Sequence, residues 1–155
     1  MAQITIVGLG PGDAGLLTRE AWALLESAQA LYLRTAIHPT VAALPARLEL
    51  RSFDALYERA GDFGQVYDQI VDELIARAEA GEPVLYAVPG HPLVAEATTR
   101  RLLAQARESG IAVTSPFFDE KTPWQFATNP HRSGKFARMP YRQRRAWASR
   151  CCSSA

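Results

Sequence analysis

Two short loops hold the residue types best suited to chemistry. The apolar run Ile4-Thr-Ile-Val7 leads into Gly8, Gly10, Gly12 and Gly15, with Pro11 and Asp13 among them. Glycines at that density let a ligand come close to the main chain. Asp13 adds a carboxylate able to orient a polar group or take a proton. A second apolar run, Val84-Leu-Tyr-Ala-Val88, leads into Pro89-Gly-His-Pro92. Pro89 and Pro92 fix backbone angles on both sides of Gly90-His91. Such a turn presents N–H and C=O groups with little ordering cost, and His91 is a candidate proton shuttle or substrate contact. Each feature has a plain structural alternative. The glycines can serve only a compact strand–helix turn, Asp13 can accept N–H bonds from its own turn, and His91 can be a hydrogen-bonded loop residue.

Other chemistries are argued against by particular residues. A dinucleotide fingerprint, G-x-G-x-x-G, needs glycine where Asp13 stands, and a carboxylate there opposes a pyrophosphate. A phosphate-binding P-loop needs G-K-[ST], and no lysine precedes Lys121. Asp62, Asp68, Asp72 and Glu73 read as the solvated face of a helix, so no metal site is expected. Cys151 and Cys152 are adjacent and offer neither a disulfide framework nor zinc-ligand spacing. No run reaches the roughly 18 to 20 apolar residues of a membrane span. The N-terminus lacks the pattern of a signal peptide, and a cytoplasmic protein is expected.

The elements that must position the two loops follow from periodicity. Residues 1–113 alternate strand and helix signals, which predicts an α/β domain with a parallel sheet flanked by helices. Strands are expected at Ile4–Val7, Leu31–Leu33, Pro83–Val88 and Ile111–Val113, with a further short one at Leu48–Leu50. Thr18 is an expected N-cap for a helix carrying Ala21, Leu24, Leu25 and Ala28. Ser52–Tyr57 reads as a short helix. Tyr67, Ile70, Val71, Leu74, Ile75 and Ala78 form one apolar stripe of a helix over Gln65–Ala80, stopped by Gly81. A last helix is expected over Leu93–Arg107, with Ala95, Leu102, Leu103 and Ala106 inward.

Beyond Val113 the rhythm stops. Residues 1–113 carry a net charge of −5, whereas residues 114–155 carry +6, and no acid follows Glu120. So abrupt a switch marks a boundary. Prolines 116, 123, 130 and 140 interrupt the tail, and Arg138, Arg142, Arg144 and Arg145 lie among scattered aromatics. The segment reads as a disordered tail. A nucleic-acid contact through it is a less favoured reading.

Taken together, Val7-Gly-Leu-Gly-Pro-Gly-Asp13, Leu16-Leu-Thr18, Ala28-Gln-Ala-Leu-Tyr32 and Pro89-Gly-His-Pro-Leu-Val-Ala-Glu96 resemble the tetrapyrrole (corrin/porphyrin) methylase family. The Pro-Gly-His-Pro form, with Tyr57 and the Phe63–Tyr67 stretch, looks most like the branch fused to MazG-type nucleotide pyrophosphohydrolases. The resemblance covers residues 3–113. It implies two α/β domains with S-adenosylmethionine in the cleft between them, and methyl transfer to a tetrapyrrole or another small molecule. By position it implies that Gly8, Gly10, Pro11, Gly12 and Asp13 line the substrate side. Pro89, Gly90, His91 and Pro92 would give main-chain contacts to the cofactor, and Asp13 or His91 would be the one base such chemistry needs. Many members carry Gly-Asp-Pro where this chain has Gly90-His91-Pro92, which sets a corrin or porphyrin acceptor in question. The family pattern continues into a second domain of on the order of 100 residues. The sequence after about residue 114 departs from it as a shifted reading frame would, so a truncated and weakly active methyltransferase domain is expected. A homodimer is expected to cover the exposed cleft. The competing reading is a non-catalytic ligand-sensing module allied to nucleotide pyrophosphate hydrolysis.

Overall fold

The computed structural model describes residues 2–59 and 61–117. The sequence predicts a disordered tail from residue 114, but Thr114 belongs to the last strand of the sheet; from 118 onward the predicted tail, with its nucleic-acid reading, lies outside the described residues. Five strands, β1 (Gln3–Gly8), β2 (Ala30–Leu33), β3 (Glu49–Ser52), β4 (Val84–Val88) and β5 (Ala112–Thr114), form one sheet in the order β3-β2-β4-β1-β5. Every pairing is parallel, with Ile4 opposite Val84 and Gly8 opposite Val88. Parallel pairing requires a crossover after each strand. Among the described residues four α-helices supply the α component: α1 (Arg19–Ser27), α2 (Asp54–Arg59), α3 (Phe63–Glu79) and α4 (Ala97–Glu108).

Alternation along the strands divides the core in two. Ile4, Ile6, Val84, Tyr86 and Val88 face α3 and α4, where they meet Ile70, Val71, Leu74, Leu102 and Ala106. Val7, Leu31, Leu33, Leu85 and Ala87 face α1 and its Ala21 and Leu25. Burial of β4 on both faces accounts for its continuous apolar sequence.

The helix boundaries follow local chemistry. Thr18 Oγ1 accepts from the Ala21 N–H at 3.1 Å, so the predicted N-cap is in place. Gly81, at φ +83°, ends α3 as expected. The α3 stripe is buried except at Tyr67, which is half-buried, and Val66 joins it. The fourth helix differs from its prediction. It begins at Ala97 rather than Leu93, because Glu96 is the N-cap and accepts from the Thr98 N–H at 2.9 Å. Ala95 is therefore a loop residue, exposed rather than inward, with φ +54°. Among the described residues no helix is long and apolar enough to cross a membrane.

Candidate functional site

The chain leaves β1 through α1 on one face of the sheet and leaves β4 through α4 on the other. β1 and β4 are neighbours, so their carboxyl ends form a topological switch point, where open α/β sheets place their ligands. Both loops singled out in the sequence begin there. They are joined by an antiparallel bridge, with Gly10 N–H donating to Gly90 O at 3.2 Å and Gly90 N–H to Gly10 O at 3.1 Å.

The glycines divide into two kinds. A side chain at Gly8 would place its Cβ 2.4 Å from Gly90 O and 2.8 Å from Pro92 Cδ, so this buried glycine serves the contact between loops. Gly10 and Gly90 have φ of +66° and +67°, which glycine adopts freely. Among the described residues, a Cβ at Gly90 would meet nothing within 4 Å, and one at Gly10 only Leu17 Cδ2 at 3.9 Å. Bare main chain faces open space at both. Gly12 lies against Pro39, and Pro11 is exposed. A third loop also reaches the site, because Thr40 Oγ1 donates to Leu9 O at 2.9 Å in a buried bond.

The two candidate bases are turned toward their own loops. Asp13 Oδ1 accepts from the Gly15 N–H at 2.8 Å and caps the short 3₁₀ turn Ala14–Leu16. His91 Nδ1 accepts from the Leu93 N–H at 3.1 Å, so the neutral ring carries its hydrogen on Nε2 and offers a donor there. The ring meets Phe117 edge-on at 5.1 Å. Pro92 is buried and Pro89 half-buried beside it.

Beside this crevice lies a polar cluster that sequence reasoning missed. Arg34, the first residue after β2, donates through Nη1 to Glu96 Oε2 at 2.5 Å, through Nε to the Tyr57 hydroxyl at 3.0 Å and through Nη2 to the Tyr67 hydroxyl at 3.4 Å. Glu96 is only 3% exposed. Burial works against the Arg34 charge, but the Tyr57 hydroxyl and the Glu96 carboxylate outweigh it and hold the guanidinium above its ordinary value. Burial also pushes the Tyr57 and Tyr86 hydroxyls up. The Tyr86, Thr98 and Thr99 hydroxyls and His38 Nδ1 are buried without a hydrogen-bond partner among the described residues. One available signal for the cluster was a charged residue directly following the apolar run Ala30–Leu33. The other was an acid among the apolar residues Leu93, Val94, Ala95 and Ala97 at the start of the predicted helix.

The predicted acidic face of α3 is spoken for. Asp62 caps α3, Asp68 pairs with Arg101, Asp72 accepts from Gln105 and Glu73 pairs with Arg77. A cavity of about 670 Å³ opens at the opposite, amino edge of the sheet, near Thr5, Ser27, Tyr32 and Arg51. Its charged groups are committed to one another, Arg51 to Glu49 and Glu82 to Arg77, and it is remote from both glycine loops.

Residues 3–115 match the family model of the tetrapyrrole (corrin/porphyrin) methylases. The chain belongs to this family. Among curated relatives it is 42% identical over 112 residues to the uncharacterized protein YabN of Bacillus subtilis (strain 168), covering 72% of this chain and 23% of YabN. It is 31% identical over 109 residues to the siroheme synthase of Tolumonas auensis, covering 70% of this chain and 23% of that enzyme. Among solved structures it is similar to uroporphyrin-III-C-methyltransferase from Thermus thermophilus, with a TM-score of 0.56 and 29% identity over 74% of this chain and 46% of that one. A cobalt precorrin-4 methyltransferase shares the fold, with a TM-score of 0.51 at 21% identity over 73% of this chain and 45% of that one. The chain thus spans under a quarter of the curated relatives and under half of the solved ones. In this methylase-family chain the two glycine loops meet at the switch-point crevice.

Proposed function

We propose that this domain forms one wall of an S-adenosylmethionine site for methyl transfer to a small molecule, a tetrapyrrole or another acceptor. The observation that carries the reading is the Gly10–Gly90 bridge at the switch point, in a member of the tetrapyrrole methylase family. The residues present fit the cofactor in one specific respect: the missing side chains of Gly10 and Gly90 leave main chain facing open space. The Gly90 N–H is taken by Gly10, so closeness is what Gly90 offers, while Pro89, His91 and Pro92 supply the rest of the cofactor side. S-adenosylmethionine brings a methyl group already activated by its sulfonium. What remains for the chain is to align the partners and exclude water. Pro11, Gly12 and Asp13 form the acceptor side. Asp13 keeps Oδ2 for a polar group of the acceptor, and His91 Nε2–H serves as a donor. A proton is then best taken at Asp13.

Leu16, Ile37, Phe63 and Val94 support a covered cleft. These large apolar side chains are exposed, and each lies in a loop or at a helix start at the carboxyl edge of the sheet. An opposing wall from another domain or a second copy of the chain would shield them. The branch fused to a nucleotide pyrophosphohydrolase is the reading we favour for the Pro89–Pro92 variant, with Tyr57 and Tyr67 as its further marks. The engagement of both Asp13 and His91 within their own turns favours a second reading, a ligand-sensing module that binds without transferring a methyl group.

Isothermal titration with S-adenosylhomocysteine, on protein first verified as folded by circular dichroism, tests the proposal. Stoichiometric binding is the expected result. A folded protein that does not bind overturns it. Methyl transfer to an acceptor in a panel of tetrapyrroles overturns the sensing module.

A further inference from the structure

We propose that the Arg34–Glu96 pair, with Glu96 buried and Arg34 half-buried, is a positioning device for the second loop, holding residues 89–95 in the one form that fits the ligand. The inference rests on the reading of this edge as a cofactor site.

The loop is fixed at both ends. At its start Gly90 is bridged to Gly10. At its end Glu96 spends both carboxylate oxygens, Oε1 on the Thr98 N–H and Oε2 on Arg34. Arg34 is itself bolted to the sheet, since its main-chain N–H donates to Ala87 O at 2.9 Å, one residue before β4 ends. Its side chain joins three further elements through Tyr57 of α2, Tyr67 of α3 and Glu96 at the start of α4. The guanidinium also lies over the Tyr67 ring, 5.4 Å from its centre.

Stability alone does not explain this arrangement. A buried ion pair gains little over apolar groups of the same size, because desolvation offsets the attraction. Capping α4 needs only a short polar side chain, such as serine or aspartate. What the pair adds is a single allowed position for residue 96. The strain beside it points the same way. Ala95 has a φ of +54° and is the residue other than glycine that takes a left-handed conformation among those described. Strain of that kind persists where its surroundings over-determine it, and it gathers at ligand sites. Between the two anchors the loop folds on itself, with Val94 N–H donating to His91 O at 3.0 Å and Leu93 N–H to His91 Nδ1. The orientation of the His91 ring is thereby inherited from the clamp.

The test pairs a binding measurement with local hydrogen exchange. In the double variant Arg34→Met, Glu96→Gln, no buried charge is left alone, and the amide oxygen of the introduced glutamine still caps α4. We expect it to melt within a few degrees of wild type. We also expect S-adenosylhomocysteine affinity to fall about tenfold or more, as for a loop no longer pre-organised, while the Leu93 and Val94 amides exchange faster and the Leu25 amide in α1 does not. Wild-type affinity, or unchanged exchange at Leu93 and Val94, overturns the clamp. A wild-type protein that binds no S-adenosylhomocysteine overturns the cofactor reading instead, and the exchange comparison then decides the clamp by itself. Should the double variant not fold, Arg34→Lys keeps the charge opposite Glu96 but cannot hold Tyr57, Tyr67 and Glu96 together. The clamp predicts faster Leu93 and Val94 exchange in that variant, and unchanged exchange overturns it.

Discussion

Single atoms decide what the glycine loops can accept. The atom that a Gly8→Ala substitution would meet first is the Gly90 carbonyl oxygen, which belongs to the main chain and cannot swing away. Overpacking of this sort costs about 1–3 kcal/mol. The expected result is a lower urea midpoint with an unchanged slope, and a Gly8→Ala protein as stable as wild type would show that the loops are not in contact. At this scale the sequence was readable in part. It placed both loops, and it placed the plain alternatives for Asp13 and His91 beside the catalytic ones. The hydrogen bonds to Gly15 and Leu93 are those alternatives in atomic form. The sequence did not reveal that Gly8 and Gly90 meet, because the contact depends on which strands are neighbours. Arg34 was hidden for the same reason: its partners Tyr57, Tyr67 and Glu96 lie 23, 33 and 62 residues away.

At the scale of elements, short polar links hold the loops to the helices. Asp54 opens α2 and accepts from the Ser52 hydroxyl at 2.5 Å and from the Ala36 N–H, in the loop after β2, at 2.8 Å. Burial alone would raise its pKa, but the bonds from Ser52, Thr35 and Ala36 outweigh it and hold the carboxyl below its ordinary 3.8. A folded-state pKa lowered in this way contributes stability that is fully present above 3.8 and lost as the pH falls through the lowered value. Urea midpoints of wild type and Asp54→Asn, compared from about pH 6 to about pH 3, are expected to differ most at the upper end and to converge at the lower. A constant gap would remove the carboxylate from the account. Element types were well marked in the sequence because strands and helices leave periods of their own. The misplaced start of α4 shows the limit. Leu93, Val94 and Ala95 have the apolar character of a helix, and the cap that Glu96 places on the Thr98 N–H puts the boundary after them.

At the scale of the whole molecule, a well-packed two-sided core supports an edge with exposed apolar side chains. Ile37 is 86% and Val94 68% exposed, so replacing both with serine should change folding stability by less than about 0.5 kcal/mol at each site. Ile70→Ala, in the core against α4, should cost about 2–5 kcal/mol. The serine variant should also sediment with less dependence on protein concentration, if a second copy of the chain covers the rim as we propose. Unchanged sedimentation would assign the rim to another domain or to ligand alone. The strand order carries a further consequence, for how the chain is made. Of the five described strands β1 leaves the ribosome before the others, yet both of its neighbours, β4 and β5, are the last of the five, with Ile4 waiting for Val84. Until Val84 and the residues after it are made, Ile4, Ile6 and Val7 have no strand to pair with, and Ile4 and Ile6 also lack the complete α3–α4 layer that covers them. Late, long-range pairing slows folding and leaves an apolar strand open to wrong partners. The nascent chain should therefore depend on chaperones until β4 is complete, and the switch-point crevice can come into being only at that moment.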